Sequence, residues 1–565
     1  MRQLPKFNQV EIILYRIIET NLDSKLEWIF TRSNFLFLQI MNKSALLVFL
    51  FTLAGILCSH GAKIEVPKDY KSIGEALKEA KEGDRVVVSP GKYFERIKIP
   101  NGVTLRSAGN DEKGKIGLKR AELVILDGKG EASEDAGIEL GEGSVVDGIS
   151  VTGMGKYDGD SWNKHFQAKG MNQSYDRIGG YNAPAIGADG VNAVILNCIV
   201  HHNGNTGIAV AAREAPAVVK VQGNTCFRNM GGGIGYMADA RGEVIENHCY
   251  ENFYAGIGME GGHPLILSNN CHNNIRAGIG ISEGARPLVR KNKCHNNRRA
   301  GIGVRTGEDT RPVIIDNDCH DNAMTGIGVS DEAYAIIRGN RCYKNALTGI
   351  GLQTGASALI IGNECYENKA AGIGHREVGE TFVVDNHIHH NGASGLGFDT
   401  TSAPSVSKCV GNRIHDNTLV AVGIRKGWNV QLVGNEISRS GGMPPLIMVF
   451  EGSRAELTDN QLTGGGVASI RCAGTVLAEG NVIKPDPASK GGRGPSSAIW
   501  ALPGAKVVAH GNEFLGWRKA LLASEAKVIA SQNRGFALNA NPFQIEKPHS
   551  GSRIANNQIG NSSDK

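Results

Sequence analysis

From residue 62 onward, apolar residues come in short runs such as Val313-Ile314-Ile315 and Ala335-Ile336-Ile337, divided by Asn and Gly. Runs this short, bounded by turn formers, predict strands of a few residues joined by tight turns. No unit carries a helical period. The runs also recur in register. The template Asn-x-Cys-x-x-Asn-x-x-x-Gly-Ile-Gly, as in Asn292 to Gly303, places the first glycine of its triplet at 207, 233, 256, 278, 301, 326, 349, 372 and 395. The steps are 22 to 26 residues, most often 23. Three strands and three turns per 23 residues stack coil on coil at about 4.8 Å, so each template position becomes a row along the axis. The predicted fold is all-β, a single parallel β-helix solenoid of roughly fifteen coils.

The rows assign roles to the template residues. Asn247, Asn269, Asn292, Asn317, Asn340, Asn363 and Asn386 make one row, and Asn252, Asn274, Asn297, Asn322, Asn345, Asn368 and Asn391 another. Both stand where a turn needs side-chain amides to bond backbone groups. Cys226, Cys249, Cys271, Cys294, Cys319, Cys342 and Cys365 share a slot that Ile388 and Ile414 take afterwards, which marks it as interior. Stacked neighbours have parallel Cα to Cβ directions and Cβ atoms about 4.8 Å apart, beyond disulfide range. The row therefore reads as buried free thiols. Without a CxxC pair, and facing an apolar interior, it is no metal site either.

Composition supports this reading. With 75 Gly in 565 residues and only 6% aromatic residues, the chain is too glycine-rich for an ordinary mixed domain. The net charge of +5 falls short of the balance expected of a nucleic-acid-binding domain. At the N-terminus, Lys43 and the run Ala45 to Leu57 resemble the n-region and h-region of a secretory signal, with Ser59 and Gly61 suiting cleavage before Ala62. This run is too short to span a bilayer. Cys58 raises a lipoprotein alternative, but Leu57 is bulky where the lipobox wants a small residue. Residues 1–40 carry no coherent signal and read as an upstream extension, 41–61 as the signal peptide. Their removal leaves a charge of +3, since they hold six basic and four acidic residues. The expected location is secreted or periplasmic, with no transmembrane span in the mature protein.

Repeats of this Asn and Gly-Ile type resemble the right-handed parallel β-helix superfamily that holds pectin lyases, polygalacturonases, mannuronan epimerases and periplasmic NosD-type proteins. The segment from Asp69 to Tyr93 resembles the start of such proteins, where a short helix caps the open end of the solenoid. Ile73, Ala76, Leu77 and Ala80 share one face of that helix. The solenoid is expected over 62–545, with excursions at 156–189 and 484–497 and a C-terminal tail at 546–565. The resemblance specifies fold better than function.

Four features could carry chemistry. Strand alternation turns the second glycine of each triplet outward, giving a stripe from Gly235 to Gly423. Beside it runs an outward row of Glu260, Ser282, Arg305, Ser330, Gln353, Arg376, Asp399 and Arg425. One reading is a shallow groove whose arginines pair with uronate carboxylates, with Glu260, Arg305, Arg376 and Arg425 binding substrate. The other is glycine chosen for turn geometry, with ordinary solvated charges beside it. His375 sits in a slot filled elsewhere by Met259, Val304 and Leu352. It is a satisfied core histidine unless a bulge exposes it near Arg376 and Asp399 as an acid or base.

The excursion Lys156 to Asp189 crowds Tyr157, Asp158, Asp160, Trp162, His165, Tyr175, Asp176, Arg177 and Tyr181. It reads either as a site, with Asp158, Asp160 and His165 catalytic and Tyr157, Trp162 and Arg177 on substrate, or as a loop shielding the solenoid's side. Its carboxylates leave Ca2+ open as a ligand. The fourth feature is the row Phe227, Tyr250, His272, His295, His320, Tyr343, Tyr366, His389 and His415. It reads as surface stacking, or as Cu or Zn shared by His272, His295 and His320. No residue is assigned as a resident metal ligand.

The leading function is an exported protein that binds an acidic polysaccharide or modifies it by lyase, epimerase or hydrolase chemistry. Catalysis is left open. The Asp-Pro-His-Asp run of mannuronan epimerases is missing, as is the paired-aspartate signature of polygalacturonases. The alternative is a non-catalytic scaffold or a NosD-like periplasmic accessory that handles metal.

Overall fold

The computed structural model describes residues 61–173, 183–486, 497–539 and 541–561. The expectations for the upstream extension and signal segment lie outside these residues, as does most of the 484–497 excursion. The unit Lys63–Lys565 is a solenoid of three parallel sheets. A typical coil contributes one strand to each sheet. In one coil, Val313–Ile315 lies in sheet A, Asp318–His320 in sheet B and Ile327–Val329 in sheet C.

Sheet A has 20 strands, more than the expected number of coils. The first strands, such as Arg85–Val88, Thr104–Ser107 and Ser144–Asp147, pair in register without carrying the Asn and Gly template. At the other end, Arg553–Ala555 and Gln558–Asn561 continue sheets A and B beyond residue 545. Backbone pairing propagates wherever an apolar residue can fill the interior slot, so counting motifs undercounts coils.

The Asn rows hold the corners. Asn292 accepts at Oδ1 from both the backbone N–H and Nδ2 of Asn269, while its own Nδ2 donates to the Ile266 carbonyl, each at 2.9 Å. At the next corner, Asn297 repeats this arrangement with Asn274 and the Cys271 carbonyl. Each corner also needs one residue with positive φ, Lys291 at 55° and Asn296 at 54° in this coil. A buried polar corner is tolerable because the amides are paired along the row.

Between the corners the core is apolar. Cys294, Cys319, Cys342 and Cys365 align in sheet B and hand over to Ile388, all fully buried. All ten described cysteines are free. Burial raises Cys249, Cys294 and Cys342 well above the ordinary thiol range, and pushes Cys198 and Cys409 up to about 12. They stay thiols.

A helix, Ile73–Glu79, caps the first coil, burying Ile73, Ala76 and Leu77. Ser72 accepts from the Glu75 N–H at its N-terminus, and Glu95 takes the N–H groups of Ile73 and Gly74. Among the described residues, no helix is long and apolar enough to cross a membrane.

Candidate functional site

The described part of the 156–189 excursion holds a helix, Gly159–Gln167, laid against the solenoid, and returns to sheet C at Ile186–Asp189. Trp162 is 2% exposed and packs with Met230, Phe253 and Ile275. Arg228 lies over its ring at 4.6 Å, and Arg298 covers Phe166 at 3.8 Å. Gln173 then ties the return to the Ile275 carbonyl at 2.6 Å. Trp162 is therefore no sugar platform: its indole closes a small second core that the corner residues of three coils leave open.

Asp158 accepts from the Ser161 N–H at 3.0 Å and is the helix N-cap. Tyr157 meets His202 edge-on at 4.8 Å, and His165 meets Phe253 at 5.1 Å. Asp160 is exposed. Arg177, Tyr175, Asp176 and Tyr181 lie outside the described residues.

On sheet C the two glycines of a triplet can have different causes. A Cβ on Gly301 would come within 2.6 Å of the Gly326 carbonyl and 2.9 Å of Asn322 Nδ2, so the first glycine is required by the next coil's backbone. The second is not. A Cβ on Gly258 would meet nothing within 4 Å, and one on Gly303 only Ala277 at 3.8 Å. Neither glycine has a positive φ. Turn geometry does not explain them. The result is a strip of bare backbone in register from Gly235 through Gly258, Gly280 and Gly303 to Gly328.

The row beside this strip is as expected in direction for Glu260, Arg305, Arg376, Asp399 and Arg425, all exposed. Ser282 is the exception: it is buried, with its hydroxyl donating to the Met259 carbonyl at 3.3 Å. Arg425 stands 3.8 Å from Asp399, while Arg305 and Arg376 have no ion-pair partner among the described residues. Three coils separate these two arginines, about 14 Å.

His375 faces inward, 2% exposed, in unbroken register between Leu352 and Phe398. No bulge presents it. It stacks on Phe398 at 4.4 Å, its Nδ1 donates to the Gly397 carbonyl at 3.2 Å, and Nε2 is buried without a partner. Burial lowers its pKa to about 4. As placed, it is a neutral core residue that substrate on sheet C cannot reach, so the acid or base role is not one this geometry provides.

The outer face of sheet B carries the aromatic row as a continuous stack. Successive rings from Phe227 to His415 lie 4.8 to 5.2 Å apart and within 18° of parallel. Face-to-face stacking sends the ring nitrogens of His272, His295 and His320 to separate partners: His272 to His248, His295 to Asn270 and Asn296, and His320 to Asp321. Those three do not converge on a shared ion.

A different group on this face does converge. Glu364, His387 and His389 bring one ligand atom each within 4.8 Å of one another. The row-by-row reading missed it because Glu364 and His387 occupy the first outward position of their strands, and His389 the third. Strand alternation puts these positions on one face, so the pattern Glu364-x-Tyr366 followed by His387-x-His389 held the signal.

A family described as a right handed β-helix region matches residues 177–311, 255–411 and 306–442. No curated protein matches in sequence. Among solved structures, a double mutant of the periplasmic alginate epimerase AlgG is 15% identical, covering 57% of this chain and 78% of its own, with a TM-score of 0.33. The A-module of the Azotobacter vinelandii mannuronan C-5 epimerase AlgE6 is 13% identical over 84% of this chain and 99% of its own, at 0.31. The catalytic domain of a GH87 α-1,3-glucanase is 12% identical over 71% and 64%, at 0.32.

Proposed function

We propose that this chain, which belongs to the right-handed parallel β-helix superfamily, binds an extended acidic polysaccharide along the outer face of sheet C, outside the cytoplasm. The observation that carries the reading is the bare strip at Gly258, Gly280 and Gly303. A side chain would fit there, packing does not forbid it, and none is present. Glycine weakens strands, so a smooth surface open to close approach is what the residue provides at these positions. Arg305 and Arg376, free of ion-pair partners among the described residues, border the strip with groups suited to carboxylates. The sequence resemblance implies the same class of ligand.

The reading is one of binding. On this face His375 lies in the core and Asp399 stands beside Arg425. The test is a panel of acidic and neutral polysaccharides, followed by the double variant R305A/R376A. For a glycan that the wild type binds, affinity should fall at least tenfold, since a hydrogen bond to a charged group contributes on the order of 1.5 to 3 kcal/mol. Binding should also weaken as salt rises. Unchanged binding by the double variant at low salt would move the site off sheet C.

A further inference from the structure

We propose that Glu364, His387 and His389 form a binding site for a divalent transition metal of the zinc type on the outer face of sheet B. The distances suit one ion. Glu364 Oε1 lies 3.6 Å from His387 Nδ1 and 3.5 Å from His389 Nε2. A tetrahedral zinc with bonds of about 2.0 to 2.2 Å to N and O sets its ligand atoms about 3.3 to 3.6 Å apart. All three ligand atoms lie within 4.8 Å of one another, so one ion among them can be reached by each. Glu364 is 39% exposed and His387 36%, so a fourth position is open to water.

The hydrogen bonds on one side of the site fix which nitrogen of a neutral His387 carries the proton. His415 Nδ1 is 2.9 Å from the Asp416 carboxylate, which only accepts, so the proton is on that nitrogen. In a neutral His415, Nε2 is then an acceptor. It lies 2.8 Å from His387 Nε2, which must donate. A neutral His387 is left with its Nδ1 lone pair directed at the Glu364 carboxylate. On the other side, His389 Nδ1 is 2.8 Å from His390 Nδ1, and its buried Nε2 has no hydrogen-bond partner among the described residues. With the His389 proton on Nδ1, two lone pairs and a carboxylate face one point, and a cation between them relieves their repulsion. The chain from Asp416 through His415 to His387 is the kind of outer support that orients metal-ligating imidazoles.

The experiment uses the chain from Ala62 onward, stripped with chelator and titrated with zinc chloride by calorimetry, then with cobalt(II), whose visible absorption reports coordination. The expected result is one equivalent of zinc taken up at micromolar or tighter affinity, with a tetrahedral cobalt spectrum. H389F keeps the ring in the stack, as Phe227 does naturally, and removes the ligand nitrogen. It and E364Q should each weaken binding at least tenfold with an unchanged circular dichroism spectrum. H295A, on the same row but three coils or more away from Glu364, should bind as the wild type does. No stoichiometric uptake by the wild type, or equal loss in H295A and H389F, overturns the proposal. In the first case the cluster is an ion pair, in the second a diffuse histidine surface.

Discussion

The indole Nε1 of Trp162 donates to the carbonyl oxygen of Glu251 at 2.8 Å, fastening a helix to a coil 89 positions further along the chain. This bond and the packing on Phe253 and Ile275 hold the helix Gly159–Gln167 to the solenoid. Trp162→Ala should cost about 3 to 5 kcal/mol locally. The effect should be confined, because each coil packs mainly on its neighbours. Hydrogen exchange should accelerate across 159–173 and the corners near Phe253 while the distant sheet A amides stay protected. Uniform protection in the variant would show that the helix adds nothing to the side of the solenoid.

The two glycines of one triplet should respond in opposite ways. Gly301→Ala drives a methyl group into the Gly326 carbonyl and the Asn322 amide, an overpacking worth about 1 to 3 kcal/mol. Gly303→Ala meets only Ala277 and should stay within about 0.5 kcal/mol of the parent. Thermal melts of the two single variants suffice to compare them. Equal destabilisation would mean that the second glycine is also a packing requirement, and the strip would lose its meaning as a surface.

His375 should make stability depend on acidity. Its folded pKa of about 4 lies below the ordinary value of 6.5, so the unfolded chain takes the proton first. The stabilisation is complete above pH 6.5 and is lost as pH falls towards 4, about 3 kcal/mol in all. His375→Leu, which copies Leu352 of the adjacent coil, removes this term. Burial also lowers His201, His272 and His295 to about 4, so the readout is the difference between variant and wild type. The drop in melting temperature from pH 7 to pH 4.5 should be smaller in the variant. An identical drop would place the acid sensitivity elsewhere.

The thiols should be silent until the solenoid opens. All ten described cysteines are buried and free, and stacked Cβ atoms about 4.8 Å apart do not reach disulfide geometry. A thiol reagent should find none of the ten in the native protein and all of them after denaturation without reductant. Recovery of mostly paired cysteines would contradict the ladder in sheet B.

The 23-residue period, the asparagine corners and the inward cysteine row could all be read from the sequence. A solenoid repeats one local environment, so each coil reports the same constraint and the pattern becomes visible without coordinates. Coils without the template, such as Thr104–Ser107, escaped because pairing asks only for an apolar residue facing inward. The fate of Trp162 was decided by tertiary structure: an aromatic in a loop looks the same on paper whether it faces a ligand or fills the gap beside Phe253. The same holds for Gly301 and Gly303, identical as residues, which differ only in what stands opposite their missing Cβ atoms. Glu364 and His389 come together across two coils because register fixes which residues become neighbours and rotamers fix where their atoms point. The sequence alone determined the periodic part of this protein, because periodicity is a one-dimensional property. Its sites depend on distances between atoms in different coils, and only the folded chain sets those.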